Sequence, residues 1–262
     1  MRSPLVRLAL LLLCLLLSFH LAMGEALCCA PAVQACDPHN SITVNTAASG
    51  GSMDDSLMTN TAPSALALEG FFAAAFHSEY GDTTRDSLIR WEIPLCLFVK
   101  GEPTPDDLNA LDRLLSSLKA NVPGLPDISF ASAEEKANVI ISFVPFEAMA
   151  ESLTTYEANN WGFMNCFSDE KTIRYGMIAI ASDVTGQKDR NHLILEEFVN
   201  MLGLTADLSY APESIIYQPY TDTQALADMD YEMLTLLYGS FVNYGMSREE
   251  AKAALEKIFP DQ

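Results

Sequence analysis

Apolar residues recur along this chain first at helical spacing, then in short unbroken runs, and finally at helical spacing again. Ser64 stands ahead of Leu66, Leu68, Phe71, Phe72, Ala75 and Phe76, a pattern that predicts a capped helix with a broad buried face, ended by Gly81. Ile93 to Val99 reads as a strand. Thr104-Pro105-Asp106-Asp107 then offers a cap, a first-turn proline and acids near the positive end of the helix dipole. Leu108, Leu111, Leu114, Leu115 and Leu118 supply the stripe of that second helix. Asp127 to Phe130 and Ala137 to Val144 read as two strands, the second so uniformly apolar that it belongs in the middle of a sheet. Between Pro145 and Glu170 no period holds, and a mixed connection carrying Trp161 and Cys166 is expected before the strand Thr172 to Ala181.

The last third reads as helical: Asp189 to Leu202 stopped by Gly203, Asp228 to Tyr238 stopped by Gly239, and Ser247 to Phe259, where Ser247 and Glu250 have the spacing of a capping box. Helices over a mostly buried, mixed sheet make this an α/β (α+β) domain over residues 63–262, with no internal repeat. The pattern does not yield the strand order.

Residues 1–24 differ from all of this. Arg2 and Arg7 precede an apolar run from Leu8 to Met23, too short for a spanning helix and of the length of a signal-peptide core, so export is expected, with cleavage near Gly24 or Ala26. Residues 25–62 are rich in Ser, Thr, Asn, Gly and Ala and poor in large apolar groups, the composition of a disordered tether. Cys28, Cys29 and Cys36 follow the signal closely, and a lipid anchor at one of them would attach the chain to a cell envelope.

Charge narrows the range of partners. Losing Arg2 and Arg7 with the signal takes the formal charge from −20 to −22, which argues against nucleic acid, and against a membrane except through such an anchor. Five of the six cysteines remain after Cys14 is removed, an odd number, and Cys96 and Cys166 read as buried small hydrophobes at least as well as bridge partners. Trp91 and Trp161 read as core or support.

Candidate chemistry gathers on the helix from Asp189 to Leu202. Leu193, Ile194, Leu195, Phe198, Val199, Met201 and Leu202 cover most of its circumference and leave a polar stripe of His192, Glu196 and Asn200, with Glu197 beside it. Carboxylates on so apolar a helix must be paired, protonated or turned to a cleft. A hydrogen-bonded cluster that fixes the helix explains them as well as a catalytic site does.

Glu196-Glu197-Phe198-Val199-Asn200-Met201-Leu202-Gly203-Leu204-Thr205-Ala206 resembles the HExxHxxGxxH helix and glycine turn of the metzincin zinc peptidases, the matrixins in particular. Ser214 to Tyr220 resembles the matrixin methionine turn, with Ile216 in the methionine's place, and Leu226 to Gly239 resembles the matrixin C-terminal helix with its LYG ending. The resemblance implies a zincin-like fold in which Glu196, Asn200 and Ala206 hold the three zinc-ligand positions and Glu197 keeps the general-base position. Tyr217 and Tyr220 would then flank the cleft, or pack the turn. From Phe71 through Arg90-Trp91-Glu92-Ile93-Pro94 to Tyr244-Gly245-Met246-Ser247 the chain is also similar to an uncharacterised family of exported bacterial proteins that has no assigned activity.

Asn200 is a weak ligand and Ala206 none, so neither a metal nor any other cofactor is expected, and Glu197 is a vestigial base. The expectation is an exported, non-catalytic domain whose former groove binds a peptide or envelope partner. The competing readings are an atypical metal-dependent hydrolase using His192, Glu196, Glu197 and Asp207, a metal-free acid/base pair of Glu196 and Glu197, and a tethered structural protein. For His192 the plain alternative is a first-turn residue pointing into solvent.

Overall fold

The computed structural model describes residues 62–78, 84–169 and 171–260. The expected signal, the tether up to residue 61 and Cys28, Cys29 and Cys36 lie outside the described residues. Helix α1 (Ala65–Ala75) is followed by β1 (Arg90–Trp91), β2 (Leu95–Gly101), α2 (Pro105–Asn121), β3 (Ile128–Phe130) and β4 (Val139–Val144). Then come β5 (Gly162–Ser168), β6 (Thr172–Ala181), α3 (Gln187–Met201), α4 (Asp228–Tyr238) and α5 (Arg248–Ile258). No described helix is long and apolar enough to cross a membrane.

The cap residues act as their chemistry dictates. Ser64 Oγ accepts from the Ala67 amide at 3.1 Å, Thr104 and Asp107 cap α2 reciprocally, and Ser247 and Glu250 do the same for α5. Each satisfies amides that a helix start leaves without intrahelical partners.

One mixed sheet runs β1-β6-β4-β2-β3 with every pair parallel, and β5 joins it antiparallel to β6. The apolar strand β4 lies between β2 and β6, the central place its composition predicts. Alternation along the strands sorts their side chains. Val139, Ile141, Phe143, Ile178 and Ile180 enter the main core with the helices, whereas Ala179 and Ala181 turn to the other face and join Met149, Leu153 and Phe163 in a small second cluster. Helix α3 packs on β5 and β6 and against α2, and α1 packs on α4.

Two expectations need correction, and two open readings are narrowed. Helix α1 stops at Ala75 instead of running toward Gly81, because the Phe76 carbonyl accepts from the Arg85 amide at 2.8 Å and His77 bridges Thr84. The mixed connection contains a seven-residue strand, β5. Trp161, at its start, is 45% exposed and so is no core residue, unlike the buried Trp91. Cys96 is disulfide-bonded, whereas Cys166 is free.

Candidate functional site

Both ends of α3 are fixed by neighbouring elements, in different ways. At the N-terminal end Asp107 of α2 is fully buried and accepts from Gln187 Nε2 at 2.6 Å and Arg190 Nε at 3.0 Å. Arg190 also donates to the Thr185 carbonyl at 3.1 Å and to Gln187 Oε1 at 2.6 Å. Burial by itself would raise the Asp107 carboxyl, but hydrogen bonds from Thr104, Gln187 and Arg190 outweigh it and hold the group below its ordinary value. This network locks α3 to α2.

At the C-terminal end the chain leaves the helix through Gly203, at φ +123°, where a Cβ would lie 2.8 Å from the Ile89 carbonyl oxygen. Only glycine fits, on both grounds. Trp91 Nε1 donates to the Met201 carbonyl at 3.0 Å and the Tyr238 hydroxyl to the Leu202 carbonyl at 2.7 Å, so β1 and α4 together satisfy the helix end. Burial pushes the Tyr238 hydroxyl far above its ordinary range, so it remains a donor. Past the turn, Thr205 hooks the loop to α1 with its amide on the Ala74 carbonyl and its hydroxyl on that of His77.

A cavity of about 200 Å³ lies between this end of α3 and the edge strand. Five consecutive β5 residues, Phe163 to Phe167, border it opposite Glu197 and Asn200. Residues of both faces of β5 take part, so the cavity follows the outer edge of the strand. Ser78, Arg85, Thr155 and Thr205 complete the wall from connecting segments. Arg85 Nη2 lies 4.0 Å from Cys166 Sγ. Gly162 lets the helix approach, since a Cβ there would meet Glu197 Oε1 at 2.9 Å.

Asn200 is 3% exposed and its Nδ2 donates to Asp207 Oδ1 at 3.3 Å. Its Oδ1 is buried with no hydrogen-bond partner among the described residues. Leaving such an acceptor unmet costs about 1–3 kcal/mol.

The other predicted residues disperse. His192 does not point into solvent: it is 2% exposed, with Nδ1 3.0 Å from the Thr223 carbonyl and the ring edge-on to Tyr220. A carbonyl only accepts, so Nδ1 carries the proton and Nε2, 3.6 Å from Glu196 Oε2, is the basic nitrogen. Burial pulls the His192 pKa down despite the Thr223 hydrogen bond and the acids nearby. Tyr220, 61% exposed, donates to Asp189, and that bond, with neighbouring acids, pushes its pKa up to about 12.

Ala206 and Ile216 are buried. Tyr217 is half-buried in a bridge to Leu208. Neither Tyr217 nor Tyr220 lines the cavity. The turn that carries Ile216 is held by Asp230, a fully buried carboxyl that accepts from Ser214 Oγ at 2.6 Å and the Ile215 amide at 3.0 Å. Burial raises the Asp230 pKa although those bonds, and one from Ala227, oppose it.

A catalytic zinc needs three strong protein ligands and an open position. Glu196 Oε2 lies 3.6 Å from His192 Nε2, Asn200 could offer only a neutral amide oxygen, a weak ligand for zinc, and Ala206 has no donor atom. Among the described residues no three His, Cys, Asp or Glu side chains gather closely enough to hold an ion. The residues present do not fit the group. Glu196 and Glu197 also face different neighbours, His192 and Gly162, so they do not form a facing carboxylate pair. Sequence reasoning missed Arg85, Thr155, Phe163 and Asn165; the one local signal was alternation, Phe163 and Asn165 being buried within β5.

Residues 64–257 match the family described as "Protein of unknown function (DUF2927)". Among solved structures, the crystal structure of myroilysin is similar at a TM-score of 0.35 and 10% sequence identity, over 68% of this chain and 99% of that one. No curated protein matches the sequence.

Proposed function

The chain belongs to the DUF2927 family, and from the groove in its fold we propose that it is an exported, non-catalytic, zincin-like domain that binds an extended peptide along β5. The observation that carries this reading is the cavity along the outer edge of β5, faced by Glu197 and Asn200. An open strand edge recognises a peptide by main-chain pairing, and side-chain pockets beside it add selectivity. Among the described residues β5 pairs with β6 alone. Support for the zincin-like ancestry comes from the residue pattern around Glu196 to Ala206 and from the left-handed turn at Gly203 on which its register depends. Support for lost catalysis comes from the same positions, since a neutral amide and a methyl group stand where strong ligands would be. On this reading the partner is a peptide segment, free or part of an envelope protein.

The test is to select binders to the purified chain from a displayed peptide library and to resynthesise the best one with alternate backbone amides N-methylated. Binding weakened by about tenfold or more, with loss in one register and none in the other, supports strand addition. Equal binding by all N-methylated forms sinks it. Turnover of the peptide that a chelator abolishes and added zinc restores would show instead that the chain is a metal-dependent hydrolase.

A further inference from the structure

We infer that Cys96 is bonded to Cys36, so that the chain ahead of the domain is stapled to the sheet on the face away from the main core. The staple does not depend on the peptide-binding groove. Cys96 is disulfide-bonded, and Cys166, the other cysteine among the described residues, is free. The partner therefore stands ahead of residue 62, where the sequence has Cys14, Cys28, Cys29 and Cys36. The chain divides after Gln34, and residues 35–262 form one compact unit. Within that unit Cys36 is the one cysteine left for Cys96.

The place of Cys96 says where the stapled chain lies. Leu95 and Leu97 enter the main core, so alternation along β2 turns Cys96 to the opposite face with Phe98 and Lys100. On that face Phe98 stands in register with Ile140 of β4, and Ile140 with Met177 of β6. Lys100 Nζ pairs with Glu134 Oε1 at 2.6 Å, so the β3–β4 connection crosses β2 on the same side. Met149 and Leu153 pack on Ala179 and Ala181 beyond β4. Cys96 is only 1% exposed and Ile140 2%, yet among the described residues neither joins either apolar cluster. A disulfide holds its two Cα atoms within about 4.4–6.8 Å. A partner for so buried a sulfur must itself enter the fold, which lays the residues around Cys36 beside the row of Phe98 and Ile140.

Reach is no obstacle. The 26 residues from Cys36 to residue 62 span up to roughly 85 Å, against about 40 Å across a domain of this size. Closing the bond takes two protons and two electrons from the two thiols. A protein or small-molecule disulfide of an oxidising compartment accepts both and leaves as its dithiol, which agrees with an exported chain. The staple also shortens the tether. An anchor at Cys28 or Cys29 would stand seven or eight residues from Cys36, at most roughly 25 Å, so the domain would be held close to its envelope.

The experiment is disulfide mapping of the full chain, exported to a bacterial periplasm and blocked with an alkylating agent before any reduction. Trypsin leaves Cys96 on the peptide Trp91 to Lys100 and Cys36 on one that ends at Arg85, because no Lys or Arg lies between residues 8 and 84. The expected result is a single species in which these two peptides are joined and which separates on reduction. A second cut ahead of Asp37, with fragmentation, assigns the sulfur. Cys36→Ala should lower Tm by about 5–15 °C, the shift expected from opening a loop of this length. Reduction of the unsubstituted chain should lower it by the same amount, and reduction should leave the variant where it is. If Cys96→Ala folds, it should match Cys36→Ala, and the double variant should add nothing; if it does not fold, Cys36→Ala alone carries the test.

Cys96 found alkylated before reduction, or joined to Cys28, Cys29, Cys166 or a second copy of the chain, overturns the inference. So does a Cys36→Ala chain whose Tm equals that of the unsubstituted oxidised protein. Neither result would touch the peptide-binding reading, and peptides that fail to bind would leave the staple standing.

Discussion

The two ends of helix α3 carry polar side chains at comparable burial and use them in opposite ways. At the first turn Arg190 and Gln187 meet the buried Asp107 in a network in which the charges are matched and hydrogen-bonded. At the last turn Asn200 has one bond, to Asp207, and an oxygen with none among the described residues. Burial alone therefore does not say how a polar group is accommodated; the completeness of its hydrogen bonding differs between the two ends. The satisfied end holds the fold together, and the open end borders the cavity.

Asp107→Ala should produce the largest loss, about 3–5 kcal/mol of unfolding free energy in urea, because it strands the buried Arg190 guanidinium. If the loss is under about 1 kcal/mol, the first-turn network is not the lock described here. Gly203→Ala comes next, at about 1–3 kcal/mol, since it sets an L side chain at φ +123° against the Ile89 carbonyl. Its check is the same urea titration, and a neutral result would remove the case for glycine at the turn.

The pH dependence sharpens the contrast further. The folded-state pKa of Asp107 is depressed, so its contribution is complete above the unfolded value of about 3.9 and disappears as pH falls through the lower folded value. Unfolding free energies measured from pH 6 down to pH 2 should show this decline, and it should flatten in Asp107→Asn. Asp230, whose pKa is raised, contributes with the opposite sign and favours the fold as pH falls. The smallest effect belongs to the open end. Asn200→Leu removes an unmet acceptor along with a long hydrogen bond, and should change stability by about 1 kcal/mol or less in either direction. A loss as large as that of Asp107→Ala would mean that both ends are structural.

What could be read from the sequence was whatever short-range chemistry determines. Ser64, Thr104 and Ser247 cap the helices they precede because a cap involves only the next three residues. Gly203 marks a left-handed turn because no other residue tolerates that place. The apolar run in β4 could only be central. Features made by distant segments were not legible. His192 is buried by Thr223 and Tyr220, about thirty positions downstream, so its own helical turn gave no sign of it. Helix α1 ends early because residues after it fold back on Phe76 and His77. Strand β5 was hidden by Gly162 and Asn165, residues that disfavour strands in general. Here Gly162 makes room for Glu197, and Asn165 Oδ1 accepts from the Thr154 and Thr155 amides at 2.9 and 3.1 Å. Arg85 reached the cavity from a loop with no motif of its own.

Among the described residues β5 pairs with β6 alone, and with exposed Trp161 just before it and exposed Phe167 within it, this is the strand along which two copies of the chain would pair. Mutual repulsion works against that union, each copy carrying 35 acids against 15 bases. Its reach shrinks from about 10 Å in 0.1 M salt to about 3 Å in 1 M. Concentrated stocks should therefore keep clear in dilute buffer, and brine is the condition under which they cloud.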